Sequence, residues 1–392
     1  MIGIGEPPRA DKSLLVLTFV AMAIATVVSA LPAMCAIPIA DELNLNKKEI
    51  GLYLSSAIWG IMIGFPLGGP LADRFGYRLP IVLGFLCGLG GLIAISQAPG
   101  FEALLIGGVC VGLGTGLWEV LLTPLALTAT PRNPVRVCNL LHGMFPAGEI
   151  LIATVAWQMM EREASWRMIY VVFFCLTIPI ALGLGFIRLP RRSPENPDHL
   201  PLRKYVLAGP FVILAVAIAL GAIPECGARA WIPTLISSEV KGSLLFEAWL
   251  GLVCYDAAVA IGRFFGGSVV HRLGVKRAFV LGGTGSAVCF VLATASTGSV
   301  ATITWLCLAG LGVSFFWPTT LGCAQERYPG AGSALFSVLS TTGVFGSVLG
   351  PLLVGQIAES TSIRTAVGML AVMPILTYLF MVMLPKRSNT ES

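Results

Sequence analysis

Charged residues are scarce in this sequence: they make up 11% of the 392 residues, whereas 56% of the residues are hydrophobic. Soluble domains carry about 25% charged residues, so the composition excludes an ordinary soluble protein. The mean hydropathy of +0.86 and the long apolar runs predict an integral membrane protein in a lipid bilayer. The net charge is only +5, and no basic patch suggests a nucleic-acid partner.

Motifs of enzyme active sites are missing as well. No Gly-x-x-x-x-Gly-Lys-[Ser/Thr] phosphate-binding loop is present, which argues against an ATP-driven pump. The ten cysteines lie almost entirely in apolar runs without paired metal-ligand spacing, and we interpret them as membrane-buried residues rather than as disulfide partners. We therefore expect neither an enzyme nor a bound cofactor or metal ion.

Twelve apolar runs are long enough to cross a bilayer, since a spanning helix needs about 20 apolar residues. They lie at residues 14–38, 50–72, 79–97, 101–128, 137–160, 166–188, 205–230, 245–268, 277–297, 300–324, 333–357 and 363–384. The sequence predicts an all-α membrane protein with two six-helix halves, at residues 1–187 and 205–392. A Pro- and Arg-rich linker at residues 188–204 joins them.

The two halves share a motif. The stretch Gly69-Pro-Leu-Ala-Asp-Arg-Phe-Gly-Tyr-Arg78 is repeated as Gly267-Ser-Val-Val-His-Arg-Leu-Gly-Val-Lys-Arg277, and equivalent glycines lie 198 residues apart. A parallel duplication explains the repeat, because each half must place an equivalent short loop on the same side of the bilayer. Two unrelated basic turns are the alternative.

Basic residues also predict the orientation. Of the 25 Lys and Arg residues, 17 fall on the side of the two termini and 6 on the other side. Positive residues accumulate on the cytoplasmic side, so we expect both termini and the linker in the cytoplasm. The expected location is the plasma membrane, the inner one in a bacterium, and the expected oligomeric state is a monomer.

The repeated Gly-x-x-x-Asp-Arg-x-Gly-x-Arg stretch resembles the signature loop of the major facilitator superfamily; the second copy lacks the aspartate. The resemblance implies two halves related by an axis along the membrane normal, with the substrate held between them near the midplane. The resemblance also implies that residues of this loop control the change between conformations. With two arginines of the second half added, the candidates for conformational gating are Gly69, Asp73, Arg74, Gly76, Arg78, Arg263 and Arg272.

Ionisable residues inside predicted spans are functional candidates, because each costs at least ~2.5 kcal/mol at membrane depth. The candidates are Glu119, His142, Glu149, Glu225, Arg229, Asp256 and Arg263. Glu119 lies in a Gly-rich helix, where desolvation favours the neutral acid, so it could take up and release a proton or bind a polyol. A structural carboxylate paired with an arginine is the alternative for Glu119.

The other candidates have simpler interpretations too. His142 could bind substrate, relay protons or merely pack. Glu149 and Asp256 lie at similar depth, and no cation is near them in sequence, so one should be protonated or a cation should lie between them. Glu225 and Arg229 have i, i+4 spacing and predict an ion pair or a gate. For Arg263, near the inner end of its span, we expect snorkelling or bracing of the inner loops, with a role in transport as the alternative.

A second resemblance is to the fucose permease group of sugar–proton symporters. It rests on the Glu119-to-Pro124 spacing, on Asn139-Leu-Leu-His-Gly-Met-Phe-Pro-Ala-Gly148 and on Phe316-Trp-Pro-Thr319. That group has an aspartate in its first span, but Ala30-Leu-Pro-Ala-Met-Cys-Ala36 contains no acid. With the ionisable and aromatic residues of the predicted spans, the candidates for substrate binding or coupling are Glu119, His142, Asn139, Glu149, Asp256, Glu225, Trp118, Trp317 and Phe145.

These observations predict a secondary active transporter for a sugar or similar small polar solute, working by alternating access and driven by protons. An exporter of drugs or metabolites is the main alternative, since buried acids also suit a cationic drug. A receptor or scaffold that binds without transporting is the alternative from another class, and a lipid scramblase is a further one.

Overall fold

The structure is a computed structural model that describes residues 11–130, 133–190, 206–239, 245–329 and 331–385. Twelve helical segments are long and apolar enough to cross a membrane in these ranges, which confirms the predicted number. The segments are α1 Lys12–Leu43, α2 Lys47–Phe75, α3 Arg78–Ser96, α4 Phe101–Ala129, α5 Pro134–Glu161, α6 Trp166–Phe186, α7 Gly209–Glu239, α8 Leu245–Leu273, α9 Val275–Ala295, α10 Ser299–Arg327, α11 Gly332–Ser360 and α12 Ile363–Met383.

Three of these segments are interrupted within the membrane. The segment α1 consists of Lys12–Ala25 and Val27–Leu43, α10 of Ser299–Val313 and Phe316–Arg327, and α12 of Ile363–Met369 and Val372–Met383. Most of the predicted linker lies outside the described residues, so its bounds stay a prediction. Because the number of spans is even, α1 begins and α12 ends on one side, here named the terminal face; the other side is the opposite face.

The halves α1–α6 and α7–α12 repeat their helix contacts as well as their sequence motif. A Cβ atom added to Gly84 of α3 would lie 2.7 Å from the carbonyl oxygen of Gly114 in α4. The equivalent Cβ atom at Gly282 of α9 would lie 2.6 Å from the carbonyl oxygen of Gly312 in α10. Only glycine permits such close helix packing, so the structure supports the duplication.

An arginine at the start of the last helix of each half repeats too. Arg167 of α6 donates to the carbonyl oxygen of Ser96 at 3.0 Å, at the end of α3. Arg364 of α12 donates to the carbonyl oxygen of Thr294 at 3.0 Å, at the end of α9. Each arginine supplies donors to the last carbonyls of a helix, which have no partner within that helix. The same type of contact thus joins the start of the last helix to the end of the third helix in both halves, at the opposite face.

Buried apolar side chains show where the halves meet. One cluster combines both halves near the terminal face; it includes Leu125 of α4 and Phe316 of α10. The other two clusters each belong to one half and lie near the opposite face, around Tyr170 and around Tyr255. The halves therefore share a core at the terminal face and have separate cores at the opposite face. This packing closes the space between them towards the terminal face.

Candidate functional site

Ionisable side chains of α5, α7 and α8 converge between the halves, and Glu119 of α4 lies at an intermediate depth in its helix. Together these residues are here named the polar layer. The layer consists of Glu119, His142, Glu149, Glu225, Arg229, Asp256 and Arg263. Six of these residues lie on α5, α7 and α8, where ion pairs and hydrogen bonds connect them; Glu119 comes from α4. The structure thus connects six of the ionisable residues that the sequence singled out, but the connections differ from the predicted ones.

Arg229 lies between two carboxylates. Its Nε donates to Asp256 Oδ1 at 2.9 Å, and its Nη2 is ion-paired with Glu149 Oε1. The two acid side chains are 8% and 7% exposed, whereas the arginine side chain is 28% exposed. The prediction of an ion pair between Arg229 and Glu225 is wrong. For Glu149 and Asp256, one predicted alternative was a cation substrate or ion between them, and Arg229 of the chain itself occupies that place. The long arginine side chain reaches across to two neighbouring helices instead of along α7.

Arg263 is a buried connector between helices. It donates from Nη2 to Glu225 Oε1 at 2.5 Å, from Nη1 to the carbonyl oxygen of His142 at 3.1 Å and from Nε to the carbonyl oxygen of Ser314 at 3.0 Å. The prediction that Arg263 snorkels is wrong. It is ten residues, ~15 Å, from the end of α8, and three acceptors satisfy it there. Arg263 thus joins α5 of one half to α7 and α10 of the other.

Two polar residues on α5 make further contacts. Nε2 of His142 lies 3.1 Å from Oγ1 of Thr123 in α4. Asn139 is fully buried, and its Nδ2 donates to Oγ1 of Thr319 in α10 at 2.9 Å. The Asn139 Oδ1 atom has no hydrogen-bond partner among the described residues. In this conformation Asn139 therefore joins the halves on the terminal side of the layer. Thr123 and Thr319 are contributors that the sequence did not single out.

The aromatic candidates lie in different surroundings. Trp118 stacks on Phe85 of α3 with ring centroids 4.8 Å apart, so it lies in the packing between α3 and α4. Trp317 lies against Gly343 of α11, and its buried Nε1 has no partner among the described residues. Phe145 packs at the edge of the shared core. Of these three, Trp317 keeps a free polar donor.

Glu119 has no ion pair or hydrogen bond with any residue that the structure describes. It is partly accessible, and it lies one helical turn from Thr123 on the same side of α4. The predicted alternative, a structural carboxylate paired with an arginine, therefore has no support from the described contacts. Both arginines of the layer are bound to other acids.

The gating motif closes the terminal face. The Asp73 carboxylate accepts hydrogen bonds from the backbone N–H groups of Ser333 and Ala334, both at 3.0 Å, at the start of α11. The Gly69 N–H donates to Ser337 Oγ at 2.8 Å. This contact lies at the start of a helix, where the helix dipole favours a negative charge. The sequence did not show that α11 provides the partner, although Ser333 and Ser337 form a polar i, i+4 pair.

The other residues of the motif shape the loop or make contacts next to it. Gly76 has φ +84°, and Gly274 in the second copy has φ +80°, a conformation that favours glycine. Arg78 donates to the carbonyl oxygen of Ile187 at 3.0 Å, at the end of α6. Arg74 lies over the Phe75 ring. Arg272 is exposed at the end of α8.

Comparison with known proteins gives a family and a fold. The sequence profile described as Major Facilitator Superfamily matches residues 14–255 and 231–392. An uncharacterized MFS-type transporter of Yersinia pestis is 23% identical over 338 residues, which are 85% of each chain.

Two solved structures have the same fold. The E. coli fucose:proton symporter has a TM-score of 0.76 at 16% identity, over 97% of this chain and 100% of its own. A proton:xylose symporter bound to 6-bromo-6-deoxy-D-glucose has a TM-score of 0.80 at 13% identity, over 95% of this chain and 96% of its own. At these identities the likeness shows the fold alone.

Proposed function

Because the chain belongs to the Major Facilitator Superfamily, we propose that it takes up a sugar or similar small polar solute together with protons. It is a membrane transporter and not an enzyme. The proposed cycle is alternating access by a monomer, in a plasma membrane with both termini in the cytoplasm. The proton is the proposed coupling ion, and no cofactor is needed.

The unpaired Glu119 carboxylate carries this proposal. The polar layer contains four carboxylic acids and two arginines, so full ionisation would leave two negative charges uncompensated at membrane depth. A charge there costs several kcal/mol, and a bound proton removes one. Glu119 is the acid of the layer without an arginine, and it is partly accessible. A proton on Glu119 therefore removes one of these two charges without breaking an ion pair.

The surroundings favour a neutral, hydroxyl-bearing substrate. The exposed edge of Arg229 and the partly accessible Glu119 carboxylate offer both donors and acceptors, as sugar hydroxyls require. A cationic drug has less support, because Arg229 already occupies the place between Glu149 and Asp256 where a cation would bind. The two symporters of the same fold are consistent with this substrate class.

Uptake of labelled neutral sugars into proteoliposomes with an imposed pH gradient tests the proposal. Glu119→Gln mimics the protonated acid, so we expect it to abolish gradient-driven accumulation but to spare exchange of substrate across the membrane. Glu102→Gln is the matched control, because Glu102 is an exposed acid in the first turn of the same helix. It should leave accumulation unchanged.

The outcomes separate the alternatives. Binding of sugar without any uptake would favour a receptor, and proton-driven efflux of cationic compounds would favour an exporter. Full accumulation by Glu119→Gln would exclude Glu119 as the proton site.

A further inference from the structure

We propose that Arg263 is a positioning residue whose guanidinium group replaces two backbone hydrogen-bond donors that prolines remove, one in α5 and one in α10. These bonds hold the two helices in shape where they pass the polar layer. The inference deepens the proposed function and rests on it only for the consequence at the substrate site. The hydrogen bonds themselves do not depend on what is transported.

The interruption of α10 lies where Pro318 lacks a backbone N–H group. In a regular helix, this group would donate to the carbonyl oxygen of Ser314, four residues earlier. Ser314 keeps helical dihedral angles, with φ −50° and ψ −39°, and the next bond, from the Thr319 N–H to the Phe315 oxygen, is present at 3.0 Å. No backbone N–H group of the described residues donates to the Ser314 oxygen. Arg263 Nε donates to it at 3.0 Å and so replaces the missing donor.

The same relation occurs in α5. Pro146 lies inside this helix and removes the N–H group that would donate to the carbonyl oxygen of His142. Arg263 Nη1 donates to that oxygen at 3.1 Å, while its Nη2 binds Glu225. The planar guanidinium group carries five N–H donors in a rigid fork, so it can serve acceptors on three helices at once. Both backbone acceptors of Arg263 are therefore carbonyls four residues before a proline.

Pro374 in α12 shows how a helix satisfies such a carbonyl without a side chain. It removes the N–H donor to the carbonyl oxygen of Leu370, which accepts from the Met373 N–H group at 3.0 Å instead. The break of α12 thus closes with a tighter turn of its own backbone. At Ser314 the structure has no such turn, and the donor comes from α8.

Glycines bring α8 close to both interrupted helices. A Cβ atom added to Gly143 in α5 would lie 2.7 Å from the Phe264 ring and 3.4 Å from the Cβ atom of Arg263. One added to Gly262 in α8 would lie 2.8 Å from the carbonyl oxygen of Leu311 in α10. Arg263 is only 6% exposed there, where a carbonyl without a donor is costly because water does not replace it.

The consequence for the site lies in the residues before the two prolines. Phe145 precedes Pro146, and Trp317 precedes Pro318; both aromatic residues are candidates for substrate binding. A missing hydrogen bond lets a helix bend at a proline, so the direction of the neighbouring side chain depends on what replaces that bond. We therefore expect Arg263 to set the positions of both aromatic rings.

Equilibrium unfolding in mixed micelles tests the hydrogen bonds. Arg263→Lys keeps a positive charge beside Glu225, but one nitrogen cannot reach acceptors on three helices. We expect it to lower the equilibrium constant of folding about tenfold or more. Pro146→Ala combined with Pro318→Ala returns an N–H donor to both carbonyls. In that background, the loss caused by Arg263→Lys should be at least about fivefold smaller.

Pro374→Ala is the matched control, since the carbonyl freed by this proline already has a backbone donor. In this background Arg263→Lys should lower the equilibrium constant as much as it does in the unchanged protein. A general effect of replacing prolines by alanine would reduce the loss in both backgrounds alike.

Fluorine NMR of protein labelled with 5-fluorotryptophan tests the positioning. The Trp317 signal, assigned by its disappearance in Trp317→Phe, should shift by more than its line width in Arg263→Lys. The Trp166 signal should stay in place and show that the variant is folded, because this indole donates to Glu42 Oε2 at 2.6 Å at the opposite face. A residue that only adds global stability would not move the Trp317 signal of the folded protein.

Equal losses in the two proline backgrounds, or an unmoved Trp317 signal in Arg263→Lys, would overturn the inference. If the double alanine variant does not fold, Pro318→Ala alone replaces it and should reduce the loss in the same direction. Both measurements are made without substrate or gradient, so a failure of proton-driven sugar uptake leaves the role of Arg263 standing. Conversely, equal losses leave the proposed function standing.

Discussion

The contact between Asp73 and the start of α11 gives a quantitative prediction for the balance between access states. Asp73 lies in α2 of one half, and its two carboxylate oxygens accept the N–H groups of Ser333 and Ala334 in the other half. These N–H groups belong to the first turn of a helix, where they have no partner within the helix and where the helix dipole favours a negative charge. Asp73→Asn removes that charge and leaves a single acceptor oxygen.

The size of the effect follows from these contacts. A hydrogen bond to a charged group contributes about 1.5–3 kcal/mol, and a neutral one about 0.5–1.5 kcal/mol. The interaction of an anion with the helix dipole adds about 0.3–1 kcal/mol. We therefore expect Asp73→Asn to destabilise the closed terminal face by about 1–3 kcal/mol, which changes the ratio of the two access states about 5–150-fold.

The assay combines equilibrium binding of a transported sugar with its initial rate of uptake in proteoliposomes. Asp73→Asn should still bind substrate measurably but should transport it more slowly, because one access state is now disfavoured. Asp11→Asn is the control, since Asp11 caps the start of its own helix α1 by accepting from Ser13 and Leu14 N–H groups at 3.1 Å. Unchanged uptake by Asp73→Asn at normal expression would show that the contact between the halves does not set the balance.

Three further predictions concern coupling, orientation and packing. Glu119→Gln should make the rate of sugar exchange independent of external pH between about 5 and 8, if Glu119 is the proton site; a retained pH dependence would assign the proton to another acid. In a cysteine-free background, single cysteines at Ser193 and Ser243 should react with impermeant reagents from opposite sides, and labelling of Ser193 from outside intact cells would reverse the orientation. Gly112→Ala should lower the free energy of unfolding by about 1–3 kcal/mol, and with it the melting temperature, because the added Cβ atom would lie 1.9 Å from a backbone oxygen of α2. Gly90→Ala should leave the stability unchanged, because no atom lies within 4 Å of its added Cβ atom. Equal melting temperatures of the two variants would contradict the packing argument.

The twelve spans could be predicted because the bilayer imposes one length and one composition on every crossing helix. The predicted ends were less accurate for the same reason. The run predicted at 50–72 belongs to a helix that extends over Lys47–Phe75. The extra turns carry polar residues outside the apolar region, and hydropathy does not detect them although their backbone stays helical. The repeat was predictable because glycines at a fixed spacing are a property of the sequence itself.

The partners of the buried charges could not be predicted in the same way. Sequence spacing offered Glu225 as the partner of Arg229, four residues away, but the actual partners Glu149 and Asp256 are 80 and 27 residues away. Such pairs depend on how α5, α7 and α8 pack. The contact of Asp73 with α11, 260 residues away, depends on the packing of two halves and has no local signal. The position of a charge along its helix follows from the sequence, whereas the direction of its side chain around the helix does not.

The charges of the polar layer occur only once, although the two halves repeat each other. Helix contacts that build the fold occur in both halves. The glycine contacts between α3 and α4 and between α9 and α10 are examples. The charges do not, because the residues 198 positions from Glu119, His142 and Asp73 are Trp317, Ser340 and His271. A duplicated Glu119 would place a second uncompensated carboxylate at the same depth near the axis, at a cost of several kcal/mol. A single site between the halves needs each charge only once. Ionisable residues without a counterpart in the other half are therefore the ones in which binding and coupling should be sought.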